Sequence, residues 1–383
     1  MSSTVTLGYW PSTLDNIDWS SDNLIAVAGN ENVTIVGPRF RRSEPTNIRW
    51  KSVSLPTSTF SQADAPLKDP LAWSSFSLGE ELSERHTVAS AWSPPGIGKH
   101  RRSVLAVLTS NHALSIWECV GQPDSREDWQ RALVVNHVLK GHYASMQPVE
   151  KIKKVISSES KSRIRSFAWS PILRPKSVER LDRHTNWGDL LLAVSNDCGD
   201  VLVLRILSPY DILTPDRRTW DVSIVHSLRI TPSLNSAPAL SCLPSLKKQR
   251  EAFVDQLSWS PSMPDCNNDP MSILALTCQS RLYHILVKTV FENTGLFMDF
   301  GDPLPSLDDG SHPSVSGPIR WAPKPTQTNA LCLLVFCRGV LLCFSFSNIQ
   351  DPKLDITRRC ISNEWDEVSG ATHNLKRHGL ADW

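Results

Sequence analysis

The residues best placed for chemistry lie between 96 and 102, where the chain reads Gly96-Ile97-Gly98-Lys99-His100-Arg101-Arg102. A glycine turn followed by lysine is the kind of sequence that curls backbone N–H groups around phosphates, with a following hydroxyl on the metal. That loop needs Gly, four residues, then Gly-Lys-Ser/Thr. Here the position five before Gly98 is Ser93, and the residue after Lys99 is His100. Pro94-Pro95 precede the turn, and a strand-like run, not a helix, follows it. The spacing excludes a nucleotide loop. What remains is a basic cluster, Lys99, His100, Arg101 and Arg102, a candidate contact for a partner protein or for DNA phosphates.

Other chemistry finds no constellation. No G-x-S-x-G elbow exposes a nucleophile, and no Gly-rich turn between a strand and a helix is shaped to cradle a pyrophosphate. The eleven His residues are dispersed, and His284 sits in an apolar run that suits a core residue. Nine cysteines scatter from Cys119 to Cys360 without a C-x-x-C pair or any Cys/His set at ligand spacing. An odd, scattered set points to a reducing intracellular compartment, with Cys332, Cys337 and Cys343 as small core side chains. The sequence thus implies no catalytic residue, no metal, no cofactor and no small-molecule substrate.

Forty basic and 39 acidic side chains leave a net charge of +1, so nucleic-acid contact has to be local. The basic stretches Arg39 to Arg42, Lys99 to Arg102, Lys151 to Lys154, Lys161 to Arg165 and Lys247 to Arg250 all read as loops. Solvated loop charge is the ordinary role of such runs. Phosphate contact is the sharper one, without base-edge readout, because no helix suited to the major groove is evident. Lys247-Lys248-Gln249-Arg250 also has the form of a nuclear import signal. No secretory signal opens the chain. The apolar stretch 330–346 is interrupted by Arg338-Gly339. An Arg at mid-bilayer costs about 2.5–3.5 kcal/mol, so two buried strands joined by a turn are expected, not a membrane span.

These groups need a scaffold, and the scaffold is repetitive. "NIDWSSDNLIAVAGNENVTIV", "TVASAWSPPGIGKHRRSVLAVLTSNHALSIW", "RIRSFAWSP" with "WGDLLLAVSNDCGDVLVLRI", "FVDQLSWSPSM" with "MSILALTCQSRLYHILV", and "GPIRWAPKP" with "ALCLLVFCRGVLLCFSF" share one plan. A short alternating strand ends at Trp19, Trp92, Trp169, Trp259 or Trp321; an apolar run, a turn and a second apolar run follow. Phe167 and Trp169 share a face, the period of a strand, and Pro171 ends its pairing. Leu190 to Val194 is apolar on both faces, as a strand between neighbouring layers is. Asp197-Cys198-Gly199-Asp200 and Ser110-Asn111-His112 supply hairpin turns. Arg131 to Leu139 and Thr219 to Leu228 read as less apolar outer strands. The recurring Trp is expected to wedge between blades, Trp169 among them.

The fold class expected is all-β, a WD40-like β-propeller, with residues 1–383 as a single domain. Repeats open near 14, 87, 163, 253 and 316, and a further one near 366, so the propeller is either cut short at its C-terminus or closed with five blades. The repeat Trp residues are 73, 77, 90 and 62 apart. A WD40 unit takes about 40–45 residues, so each blade carries a long insert. These inserts are placed at 54–70, 143–162, 172–186, 231–250 and 302–318. Trp117-Glu118 sits where the WD40 Trp-Asp pair falls, and Gly141-His142 where the next Gly-His falls.

"AWSPPGIGKHRRSVLAVLTSNHALSIWE" and "AWSP…WGDLLLAVSNDCGDVLVLRI" resemble the amino-terminal propeller of the delta-type subunit of transcription factor IIIC. The resemblance covers the first two hundred residues in detail and the remainder as a blade pattern. It implies a nuclear, non-catalytic scaffold subunit that joins other subunits of that factor and the RNA polymerase III machinery, with promoter DNA met through its backbone. It also implies two alternatives: the histone acetyltransferase activity ascribed to the family, or a WD40 adaptor of an unrelated complex. The family's carboxy-terminal zinc-binding region has no counterpart here.

Overall fold

The computed structural model describes residues 7, 16–41, 44–60, 85–145, 161–173, 190–210, 219–230, 253–264, 270–292, 295–306, 315–327, 330–337, 340–347 and 354–362. Among them the chain forms five antiparallel sheets, each built from strands consecutive in sequence. The first holds β1 (Ile17–Trp19), β2 (Ile25–Ala28), β3 (Val33–Arg41) and β4 (Glu44–Leu55). The second holds β5 (Thr87–Trp92), β6 (Leu105–Thr109), β7 (Leu114–Cys119) and β8 (Trp129–Val134). The third holds β9 (Ile164–Trp169), β10 (Leu191–Asn196), β11 (Asp200–Leu207) and β12 (Asp221–Arg229). In the fourth, β13 (Val254–Trp259), β15 (Pro270–Cys278), β16 (Arg281–Glu292) and β17 (Gly295–Phe300) pair in that order, with short β14 (Met263–Pro264) and β18 (Leu304–Pro305) on β15 and β16. The fifth holds β19 (Val315–Trp321), β20 (Leu331–Cys337), β21 (Val340–Ser347) and β22 (Asp355–Ser362). Sequence-consecutive, four-stranded antiparallel sheets are the blades of a β-propeller.

The residue after each repeat Trp explains why the first hairpin of a blade closes where it does. In the second sheet Ser93 N–H donates to Val104 O at 2.8 Å, and its hydroxyl accepts the Val104 N–H at 3.0 Å and donates to Pro94 O at 2.7 Å. Ser170 makes the same three bonds with Leu191 and Pro171. Ser260 makes them with Ile273 and Pro261. Ser20 makes two of the three with Leu24: its N–H donates to Leu24 O at 2.8 Å and its hydroxyl accepts the Leu24 N–H at 3.1 Å. All four serines are buried. Each clasp satisfies a buried backbone N–H at the strand end, and after Ser93, Ser170 and Ser260 a proline removes the next ladder donor. In the fifth sheet Ala322 stands at this position, and only the backbone bond to Cys332 O remains.

The chain divides into two compact units, Met1–Ile164 with Leu204–Val225, and Arg165–Val203 with His226–Trp383. The residues of the third sheet are shared between them. In the first unit the core lies between the first two sheets: Leu24, Ala26, Val33, Ile35, Val53 and Leu55 pack with Trp92, Leu105, Val107, Trp117 and Trp129. Asp18 links these sheets by accepting the Trp92 N–H at 2.6 Å. In the second unit one core joins residues of β10 and β11 to β13, β15 and β16, and another joins the fourth sheet to the fifth. Gln256 bridges that second junction, accepting the Ile319 N–H at 3.0 Å and donating to Gly317 O at 2.9 Å.

Several local expectations change. The segment 131–139 is not one outer strand: β8 ends at Val134, and helix α1 runs over Val135–Ser145. Val135, Leu139 and Tyr143 recur at a helical spacing and are buried. Asn136 fixes the helix start by accepting the Leu114 N–H and donating to His112 O and Ser162 O. Gly141-His142 therefore lies in α1, not at the opening of a repeat. Arg39 to Arg41 belong to β3, and Arg165 lies in β9, where it pairs with Asp197 at 2.5 Å and stacks on Phe253, so these residues are not in loops. The apolar run 330–346 forms the paired strands β20 and β21. No helix among the described residues is long and apolar enough to cross a membrane.

The repeat tryptophans are not equivalent. Trp92 and Trp259 are buried, whereas Trp169 and Trp321 are half-buried. Trp19 is 61% exposed beside Ile17 at 62%. Alternation along β1 puts both side chains on one face. The insert 231–250, the opening of a repeat near 366, and the basic stretches Lys151 to Lys154 and Lys247 to Arg250 lie outside the described residues.

Candidate functional site

The cluster Lys99 to Arg102 sits between β5 and β6, in a single 3-10 turn over Lys99–Arg101. Gly98 N–H donates to Arg102 O at 3.0 Å, closing the loop on itself. A Cβ on Gly98 would lie 2.9 Å from that oxygen, so the closure requires glycine. His100 and Arg101 both take left-handed backbone conformations, with φ of 58° and 62°. Such conformations cost of order 1–3 kcal/mol each for non-glycine residues and persist where the surroundings hold them. Arg102 does the holding: its Nη1 donates to Gly121 O at 2.5 Å and approaches the Cys119 sulfur at 3.5 Å. Arg101 turns back to Gly96 O at 3.4 Å, while His100 is exposed. The four basic side chains therefore divide. Arg102 anchors the loop, while the Lys99 and His100 side chains form no hydrogen bond or ion pair with the described residues.

A second set of cations meets the same β7–β8 loop. Arg39 Nη1 of β3 and Lys51 Nζ of β4 lie 3.6 and 3.2 Å from one oxygen, Asp124 Oδ2. The Lys51 hydrogen bond, with the Lys51 and Arg39 charges, holds the Asp124 carboxyl below the ordinary carboxylate range. Residues 120–128 are thus bordered by Arg102 on one side and by Arg39 and Lys51 on the other.

Beside this loop, Glu118 occupies the position that in sequence matched an Asp. It is 1% exposed, and its Oε1 accepts from Gln130 Nε2 at 2.7 Å, Tyr210 OH at 3.2 Å and Trp220 Nε1 at 3.2 Å. Burial, and then the Glu118 carboxylate, push the Tyr210 phenol up to about 12. Tyr210 and Trp220 meet edge to face, 6.2 Å between ring centroids. Glu118 Oε1 is a structural hub that ties Tyr210 and Trp220 to the second sheet within the first unit. Sequence inspection missed it, because its partners lie as far as 102 residues away. Replacing Glu118 with Ala strands three donors, two of them half-buried and able to turn to water. The expected loss is about 1–3 kcal/mol, read from urea unfolding, with Glu118→Gln losing less because one oxygen remains.

His284, in β16, is buried, with Nδ1 3.2 Å from Ser306 Oγ and its ring edge-on to Phe346. It is a packed core residue. No group of three or more His, Cys, Asp or Glu side chains able to hold a metal ion occurs among the described residues.

Five antiparallel sheets of strands taken in sequence order, four of them with a first hairpin held by a buried serine, define a β-propeller. The chain belongs to the transcription factor IIIC subunit delta β-propeller family, whose domain model matches residues 19–377. No curated protein matches the chain. Among solved structures, the β-propeller domain of Vanderwaltozyma polyspora Nup133 is similar at 11% identity and TM-score 0.37, over 91% of this chain and 73% of that one. The Chaetomium thermophilum Nup170 NTD–Nup53 complex is similar at 10% and 0.43, over 94% and 46%. The fucose-specific lectin from Aleuria aurantia is similar at 10% and 0.42, over 92% and 78%. At such TM-scores the likeness says nothing about function.

Proposed function

We propose that this chain is a non-catalytic scaffold subunit of transcription factor IIIC. In this reading it acts in the nucleus and joins other subunits of the factor to the RNA polymerase III machinery, with residues 1–383 working as one propeller domain. The observation that carries the reading is the family match over residues 19–377. Propellers offer many loop-bearing edges and little chemistry of their own, which suits assembly. The partner-facing group in this reading is the β5–β6 loop, where Lys99, His100 and Arg101 present charge to an acidic partner surface or to promoter DNA phosphates.

Co-purification from nuclear extract tests it. Factor subunits and polymerase III components are expected in the eluate; their absence from a folded preparation overturns the reading. Lys99→Glu with Arg101→Glu is expected to lower recovery while leaving the melting temperature unchanged, and the loss shrinks as salt rises, since exposed charges are screened over about 8–10 Å. Arg102 is kept in that variant, because its guanidinium holds the Gly121 carbonyl. Unchanged recovery at low salt returns the loop to plain solvated charge.

A further inference from the structure

From Val33 to Val36, β3 is paired on both sides, with β2 and with β4. Beyond Val36, β3 and β4 continue as a ribbon of two strands only, through Gly37↔Lys51, Pro38↔Trp50 and Arg39↔Arg49 to Arg41↔Glu44. Gly37 marks the departure: a Cβ there would lie 2.7 Å from Leu24 Cδ2, so the ribbon leaves the sheet in close contact with it. From residue 37 to residue 51 the sequence carries Arg39, Arg41, Arg42, Arg49 and Lys51 against one acid, Glu44. Five basic residues less one acidic residue give a local charge of about +4, in a chain whose total is +1. Phe40 and Trp50 interleave with the basic residues in sequence.

We propose that the β3–β4 ribbon is a contact arm for the phosphate backbone of duplex nucleic acid, with Arg39 and Lys51 forming an anion seat at its base. This goes beyond the assembly reading and does not depend on it. Both cations reach a single acceptor, Asp124 Oδ2, although they come from different strands, so their charges already converge on one oxygen-sized anion position. Their side chains are 55% and 46% exposed, which leaves them open to a second anion. An exposed ion pair is worth little, so a phosphate oxygen displaces the Asp124 carboxylate at small cost. A two-stranded ribbon also has dimensions that a major groove about 12 Å wide admits, which brings the arm between two phosphate rows. An acidic peptide supplies single carboxylates but no such paired rows of charge.

The test uses the full chain and a fluorescein-labelled mixed-sequence DNA duplex of about 30 base pairs, followed by anisotropy from about 50 to 200 mM salt. The expected result is salt-dependent binding. Replacing both Arg39 and Lys51 with Ala weakens it about tenfold or more at low salt and reduces the slope of log K against log salt by about 1.8, two phosphate contacts at about 0.9 each. Asp124→Asn acts in the opposite direction, tightening binding by up to about fivefold, because it removes the competing anion. Arg39→Lys with Lys51→Arg retains binding, and unchanged melting temperatures show that the fold is intact. Absence of binding at low salt, or an Ala variant that binds as the native chain does, overturns the proposal. So does tighter binding to the single strand than to the duplex, or displacement by polyglutamate at lower charge concentration than by unlabelled duplex. Loss of co-purification with intact duplex binding overturns only the assembly reading.

Discussion

Trp92→Ala is expected to destabilise the protein by about 3–5 kcal/mol, the range for large aromatic deletions from packed cores. The Trp92 ring is buried in the core between the first two sheets, 6.1 Å from Trp129 and tilted 56° to it. Its backbone N–H is held by Asp18, so the main chain stays in place when the side chain goes and the cavity does not readily collapse. Trp19 stands at the same repeat position but is 61% exposed, and Trp19→Ala is expected to change stability by less than about 0.5 kcal/mol. Urea unfolding followed by circular dichroism separates the two. Similar losses from both variants contradict the difference in their surroundings.

Acid is expected to destabilise the second unit through His284. Burial pushes its imidazole pKa from the ordinary 6.5 down to about 4, since charging the ring there removes it from water without a compensating anion. A histidine with a depressed folded pKa favours folding above its unfolded pKa, because the unfolded chain binds the proton more tightly. That contribution is fully present above about pH 6.5 and is lost as pH falls through about 4. The shift corresponds to about 3 kcal/mol. Unfolding free energies measured from pH 7 to 4 are expected to fall by about that amount more in the native chain than in His284→Gln, which cannot titrate. His226, stacked on Phe300 at 4.0 Å and also shifted down by burial, remains in both proteins and cancels in the comparison. Parallel pH profiles contradict the assignment.

What the residues determine by themselves is local. Period-two alternation before Trp92, Trp169 and Trp259, a Ser-Pro stop and a doubly apolar following run are short-range signals, and strands form at those places because neighbouring residues suffice to specify them. A serine recurs after four of the five repeat Trp residues and was equally visible, yet its clasp, three bonds at Ser93, Ser170 and Ser260 and two at Ser20, becomes plain only once the strands are paired. The hairpin turns were legible for the same reason: His112 and Gly199 take positive φ, as turn residues do. Tertiary structure decided the rest. The sequence 131–139 suits a strand as well as a helix, and α1 wins because Leu139 and Tyr143 find a core and Asn136 bonds residues 112, 114 and 162. Burial of a repeat Trp depends on what packs against its blade, so identical motifs give a buried Trp92 and an exposed Trp19. Arg39, Lys51 and Asp124, like Glu118 with Tyr210 and Trp220, are distant in sequence and meet only when the sheets pack. Long-range electrostatic convergence leaves no periodic trace in the chain, whereas backbone pairing does.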